Sequence, residues 1–161
     1  MKLRRTKRLP DWVPLVIIVL MVVAADQATK KIARTSFGAG ESLQVAGSFW
    51  IHLFYNGGVA GGGLSGFALP LAILGLIAVL VIFALLAHRR ALGPIVLLGF
   101  GLLVGGGLGN LLDRARSGYV TDFIIRGQSA FNLADVAVYT GCAIVFIALV
   151  AQLPKAFVRS K

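Results

Sequence analysis

Four long apolar stretches, separated by short polar or charged segments, dominate the chain. The first begins at Trp12 and carries no charge until Asp26. The others run from Leu64 to Ala87, from Ala91 to Leu112 and from Val136 to Pro154. A helix needs about 20 apolar residues to cross a bilayer, and the last three stretches approach or exceed that length. The first is shorter up to its acid, so its helix must continue past Asp26 and carry that residue to the membrane edge or somewhat inside it. The pattern predicts spans at about 12–34, 64–87, 91–112 and 134–153. Between the first two, residues 41–55 (ESLQVAGSFWIHLFY) are rich in β-branched and aromatic residues and are followed by a glycine-rich stretch from Gly57 to Gly66. This reads as a short β element and a flexible loop. Residues 119–125 (YVTDFII) read as strand or extended chain rather than helix.

Composition agrees with spans rather than with buried core helices. The 161 residues are 58% hydrophobic and 14% charged, with a mean hydropathy of +0.88. A soluble domain of this size needs more polar surface. The chain is therefore expected to be an all-α membrane protein of four transmembrane helices with a small extracytoplasmic β element, residues 1–161 forming one integral membrane domain. The basic run at Lys2–Arg8 before the first apolar stretch resembles a signal-peptide n-region. No small-x-small cleavage site clearly ends that stretch, so it reads as a retained span.

The net charge of +10 would suit nucleic acid, but the basic residues sit at the ends of the apolar runs, where they act as topology signals. The N-terminal tail (Lys2, Arg4, Arg5, Lys7, Arg8), the turn at Arg89–Arg90 and the C-terminal tail (Lys155, Arg159, Lys161) hold 10 of the 16 Lys and Arg. An even number of spans places these segments together in the cytoplasm. The segments between spans one and two and between spans three and four then face outward, with Trp50, Phe54 and Tyr55 suited to the headgroup level. No nucleic-acid partner is expected.

That topology gathers the acids. Of the six acidic residues, only Asp11 lies at the cytoplasmic side. Asp26, Glu41, Asp113, Asp122 and Asp135 fall on or near the outer side. Ionisable groups near hydrocarbon are costly and are usually paired or functional. Asp113 lies beside Arg114 and near Arg116 and reads as half of a structural ion pair. Asp26 precedes Lys30 by four residues, a helical pairing distance. Asp135 suits the positive end of a helix dipole, and Asn132 suits a helix N-cap. Asp122 has no such local explanation.

Two neighbouring carboxyl groups can share one proton, so that one activates water while the other polarises a carbonyl. Other chemistry is poorly supplied. His52 and His88 fall on opposite sides, the single cysteine, Cys142, lies in an apolar run, and no nucleophile elbow or phosphate loop occurs. The glycines at 105–109 (GGGLG) are better suited to close helix packing. These features amount to a membrane protein with an outward-facing acidic cluster, and they name no substrate.

Four blocks, in order and on the expected spans, resemble the lipoprotein signal peptidase (signal peptidase II) family: Asp26-Gln27-Ala28-Thr29-Lys30, Tyr55-Asn56-Gly57-Gly58, Gly109-Asn110-Leu111-Leu112-Asp113-Arg114 continuing to Val120-Thr121-Asp122-Phe123, and Phe131-Asn132-Leu133-Ala134-Asp135. The resemblance covers about residues 12–153. It implies an aspartic endopeptidase of the bacterial inner membrane that removes signal peptides from diacylglyceryl-modified prolipoproteins. Cleavage falls before the lipidated cysteine and uses water activated by Asp122 and Asp135, with no metal or other cofactor. Asn56, Gly57, Asn110, Arg114 and Asn132 are then expected to line the site, and Asp26, Lys30 and Asp113 to hold the helices around it. Partners are the prolipoprotein and membrane lipids, the chain is expected to be a monomer with both termini cytoplasmic, and the active site lies near the outer face.

Two departures stand out. Where the family has an aromatic in its N-x-G-x-A-F block, this chain has Gly61, and only nine residues lie between Asp122 and Asn132. A small ion-conducting protein and a silent relative that binds lipidated peptides without cutting are the competing classes. Uncharged spans two and four argue against the first, and the retained aspartates against the second.

Overall fold

The computed structural model of the protein describes residues 10, 12–38, 40–58, 65–89 and 92–151. The apolar stretches form α1 (Trp12–Ser36), α2 (Ala68–Arg89), α3 (Pro94–Ser117) and α4 (Leu133–Val150). All four are long and apolar enough to cross a membrane. Four strands, β1 (Ser42–Ala46), β2 (Phe49–Asn56), β3 (Val120–Arg126) and β4 (Ser129–Phe131), form one antiparallel sheet in sequence order. The charge runs of both tails, Asp11, Arg90 and the Val59–Leu64 stretch with Gly61 lie outside the described residues.

Two spans differ from expectation. The second helix starts at Ala68, after a single 3-10 turn at Ser65–Phe67. The third continues five residues beyond Leu112, because nothing breaks it until Gly118, which takes a left-handed φ of 78° and returns its N–H to the Arg114 carbonyl. Arg114 and Arg116 in this last turn complement the C-terminal end of the helix dipole. Asp113 therefore lies inside α3 rather than at its end.

Helix α3 is the axis of the bundle. Half of its most apolar window is buried, against none of that of α2. Small residues let its neighbours approach. A Cβ at Gly105 would stand 2.7 Å from the Cβ of Val22 in α1, and one at Gly141 of α4 would stand 2.6 Å from the Gly99 carbonyl oxygen. At one end of the bundle an apolar core forms around Leu15, Val96, Leu97, Phe100 and Val145, with Phe83 of α2 edge-on to Phe100. At the other end, against the sheet, a cluster of polar residues is buried: Asp26, Lys30, Asn56, Asp113, Thr121, Asp122 and Asn132.

The sheet sets where two of these groups stand. In the β2–β3 pairing Asn56 faces Val120, which puts Asn56 diagonal to Asp122 on one face. β3 then turns back through Gly127 (φ 60°) and Gln128, with Arg126 opposite Ser129 and Ile124 opposite Phe131. The nine residues between Asp122 and Asn132 are thus the two arms and two-residue turn of a hairpin, which returns Asn132 to the neighbourhood of Asp122.

Candidate active site

Asn132 ends β4's return and caps α4. Its side-chain oxygen accepts the Asp135 N–H at 3.0 Å, and the Asp135 Oδ2 accepts the Asn132 N–H at 3.1 Å, the reciprocal pair of a capping box. The Asn132 amide nitrogen is left to donate elsewhere, and it does so to Asp122 Oδ1 at 2.6 Å and to Asn110 Oδ1 at 3.1 Å. The Asn110 amide nitrogen in turn donates to Asp135 Oδ1 at 2.7 Å. Asn56 Nδ2 donates to Asp122 Oδ2 at 3.0 Å. Each oxygen of the two carboxyl groups therefore accepts one N–H, leaving further lone pairs for a proton or a water.

Asp122 is 1% exposed. Burial pushes its carboxyl up to about 6, the negative charge of Asp135 adds to the rise, and the Asn56 and Asn132 donors and the Lys30 charge oppose it. This is the perturbation expected of a carboxyl group kept in part protonated near neutral pH.

Behind the pair lies a second polar layer. Lys30, fully buried on α1, bridges Asp26 at 2.9 Å and Asp113 at 3.1 Å and donates to Asn110 Oδ1 at 3.0 Å. Asp26 also accepts the Ala134 N–H, one of the free donors at the start of α4, at 3.0 Å. Asp113 accepts the Thr121 N–H at 3.1 Å, which pins β3 next to Asp122. The Asp26–Lys30 pairing follows the four-residue spacing. The expected pairing of Asp113 with Arg114 or Arg116 does not form, since Asp113 faces α1 and pairs with Lys30. Arg114 faces the other way and donates from Nη2 to the Gly58 carbonyl at 2.8 Å rather than gripping a carboxylate.

Of the expected residues, Asp26, Lys30, Asn56, Asn110, Asp113, Arg114, Asp122, Asn132 and Asp135 are joined by these contacts. Gly57 links Asn56 to Gly58 and has open space where a Cβ would stand. Three further residues belong to the network. Gln27 donates to Asp26, to Asp113 and to the Gly109 carbonyl. Thr121 accepts from Arg34 Nη1 at 2.8 Å. A sequence signal for Gln27 and Arg34 exists, because with Lys30 they fall on one helical stripe (i, i+3, i+7).

The two carboxyl groups open into a cavity of about 700 Å³. Asn56, Asn110 and Arg114 line its polar end; Leu76, Val79, Leu103 and Val138 line its apolar flank along α2, α3 and α4. Asn56 and residues 128–130 also border a second hollow of about 470 Å³ on the sheet, beside Trp50, His52 and Phe54. Together they offer an acid pair with Asp122 buried and Asp135 partly so, amide donors around it and an apolar wall beside it.

The chain is similar to known proteins in both sequence and fold. Residues 18–151 match the family model described as signal peptidase (SPase) II. A lipoprotein signal peptidase of Moorella thermoacetica is 40% identical over 134 residues, 81% of this chain and 89% of that protein. One of Mesorhizobium japonicum is 32% identical over 141 residues, 84% of each. A bacterial membrane enzyme solved by the in meso method at 2.3 Å superposes with a TM-score of 0.75 at 32% identity, covering 86% of this chain and 88% of that one.

Proposed function

This chain belongs to the signal peptidase II family, and we propose that Asp122 and Asp135 are the catalytic pair with which it works. The protein is a multi-pass membrane peptidase of the aspartic type that removes signal peptides from lipoproteins. The observation that carries the residue assignment is the Asn132 bridge, which binds Asp122 through its side chain and Asp135 through its backbone.

A water held between the carboxyl groups loses a proton to the ionised one as its oxygen attacks the scissile carbonyl carbon. The protonated one donates a hydrogen bond, then its proton, to the carbonyl oxygen. As the C–N bond breaks, the carboxyl that took the water's proton gives it to the departing amide nitrogen, and the other takes back one hydroxyl proton from the diol, which leaves a free acid, a free amine and the pair again with one proton. No bond to the protein forms. Burial is what keeps one proton on the pair, and the amide donors of Asn56, Asn110 and Asn132 hold the carboxyl planes in place while it moves.

The substrate class extends this reading: a diacylglyceryl-modified prolipoprotein, cut before its lipidated cysteine. The apolar flank of the cavity suits the signal peptide or an acyl chain, and the hollow on the sheet suits the polar chain beyond the cysteine. Both termini lie in the cytoplasm, by the distribution of Lys and Arg, and the acid pair lies near the outer face of the inner membrane. Residues 1–161 act as one domain and a monomer among membrane lipids, with no nucleic-acid partner. Asn56, Asn110, Arg114 and Asn132 line the site and position substrate or catalyst, and Asp26, Lys30 and Asp113 hold it together.

A gel-shift cleavage assay in detergent tests the proposal, with a diacylglyceryl-modified prolipoprotein beside its unmodified precursor. Cleavage of the modified form alone, lost in Asp122→Asn and Asp135→Asn, is the expected result. Cleavage by folded Asp122→Asn would remove that residue from the chemistry.

A further inference from the structure

We propose that α3 sets the spacing of the catalytic pair, Asn110 holding Asp135 directly and Arg114, four residues on, positioning Asp122 through Gly58 and Asn56. The inference rests on the assignment of Asp122 and Asp135 above, and it makes Arg114 a positioning residue rather than a substrate ligand.

Residues four apart on a helix share a face, so Asn110 and Arg114 both look from α3 into the cavity. Asn110 reaches Asp135 at 2.7 Å. Arg114 reaches the Gly58 carbonyl at 2.8 Å. Gly58, which is buried, is held at its other end too, since its N–H donates to Asn56 Oδ1 at 3.0 Å. That bond decides how the Asn56 amide is turned. With its oxygen committed to Gly58, its nitrogen must point the other way, where it meets Asp122 Oδ2 at 3.0 Å. Released from Gly58, the amide could rotate and present an oxygen to a carboxyl oxygen, a repulsive contact for the ionised form.

Arg114 keeps this hold at a cost. Its Nε is buried without a hydrogen-bond partner, the only such side-chain atom among the described residues. A buried donor left unpaired is unfavourable, so the guanidinium is posed for the Gly58 carbonyl and not for the pairing of its own donors. The β2–β3 register supplies the other constraint, placing Asn56 on the Asp122 face. α3 is the most buried helix of the four and is suited to serve as the rigid reference for both acids.

The test is a double-mutant cycle on the full chain in detergent, with a diacylglyceryl-modified prolipoprotein as substrate. Arg114→Gln and Asn56→Ala are each expected to lower kcat by about 10²-fold, the scale of a small misplacement of a reacting group, with KM changed by less than about twofold. If Arg114 works through Asn56, the double variant is no slower than Asn56→Ala alone. Both single variants also move the alkaline limb of the pH–rate profile upward, because the Asn56 donor that favours ionised Asp122 is lost; a purely structural role leaves that limb in place. Should Arg114→Gln fail to fold, Arg114→Lys, which retains the charge and one donor, completes the cycle. Losses that multiply, or a loss expressed in KM, overturn the relay. Asp122→Asn is run alongside: if it still cleaves, the catalytic assignment falls; if it is inactive while the cycle multiplies, only the relay falls.

Discussion

Lys30 donates to the side-chain oxygen of Asn110 at 3.0 Å, and this contact decides which end of the amide Asp135 meets. A lysine has donors only, so the Asn110 oxygen turns to it and the nitrogen turns to the carboxyl group. The same ammonium is shared between Asp26 and Asp113 at 2.9 and 3.1 Å, with Lys30 and Asp26 fully buried. Charge balance in the second layer and orientation in the first thus depend on one side chain.

Lys30→Met leaves two buried carboxylates without a counter-charge. Breaking a buried pair by removing one partner costs about 3–5 kcal/mol. The expected outcome is a large fall in the detergent unfolding midpoint, with cleavage lost in the fraction that remains folded. An unfolding midpoint equal to wild type would mean that Lys30 is not the counter-ion of Asp26 and Asp113.

Asp113→Asn is the milder change. Its partner Lys30 retains Asp26, and the new amide oxygen can still accept the Thr121 N–H. Stability is expected to fall by about 1–3 kcal/mol, the cost of disturbing a buried hydrogen-bonded group, while cleavage per folded molecule falls far less than in Asp122→Asn. Thermal unfolding and a cleavage assay normalised to folded protein separate the two effects.

Asp122→Asn and Asp135→Asn are both expected to fold and to lose about 10³-fold or more in kcat, the scale of removing a general acid or base. They differ in stability. Asp135 completes the α4 capping box, so Asp135→Asn is the less stable of the two by about 1 kcal/mol. Asp122 has no capping duty. Equal unfolding midpoints would contradict the double role of Asp135.

The contrast between what the sequence revealed and what it hid lies mostly in range. The Asp26–Lys30 pair, the Asn132 cap and the strand through Asp122 are local, and each was readable from residue type and spacing. Asp113 pairs with Lys30 and not with Arg114, its neighbour in the chain. Adjacent helical residues do not face each other, and here one turns to α1 and the other to the cavity. Gln27 reaching the Gly109 carbonyl and Asp113, and Arg34 reaching Thr121, join residues 82 to 87 apart, which no local pattern reports. The link of nine residues between Asp122 and Asn132 is one of the two departures from the family pattern. It is the length of a tight hairpin, which needs only Gly127 in its left-handed conformation.

The pH dependence follows from Asp122. Its carboxyl is pushed up to about 6, in part by a negative charge on Asp135, so the last proton of the pair leaves near that pH. With a singly protonated pair as the working form, kcat/KM is expected to fall as pH rises through about 6 in the free enzyme. Folding stability moves the same way. The unfolded carboxyl titrates near 3.9, so between there and about 6 the folded state binds more protons, and stability declines with rising pH across that window. A pH–rate profile flat from pH 5 to 8 would contradict the shared-proton pair.

Glycines let α3 and α4 meet. A Cβ on Gly141 would stand 2.6 Å from the Gly99 carbonyl oxygen and 2.9 Å from the Leu103 backbone nitrogen. Both obstacles are main chain of a buried helix, and neither can rotate aside as a side chain could. Gly141→Ala must therefore part the helices, and overpacking of this kind costs about 1–3 kcal/mol. The helix that parts carries Asp135 in its first turn, whereas Asp122 stands on β3 of the sheet. Separation of α4 is thus expected to lower kcat as well as stability, although Gly141 is nearly two helical turns from Asp135. Gly75→Ala on α2, where a Cβ meets open space, is the control and should leave the unfolding midpoint unchanged or slightly raised. If Gly141→Ala melts like wild type and cleaves at the wild-type rate, close α3–α4 packing is not what keeps Asp135 in register.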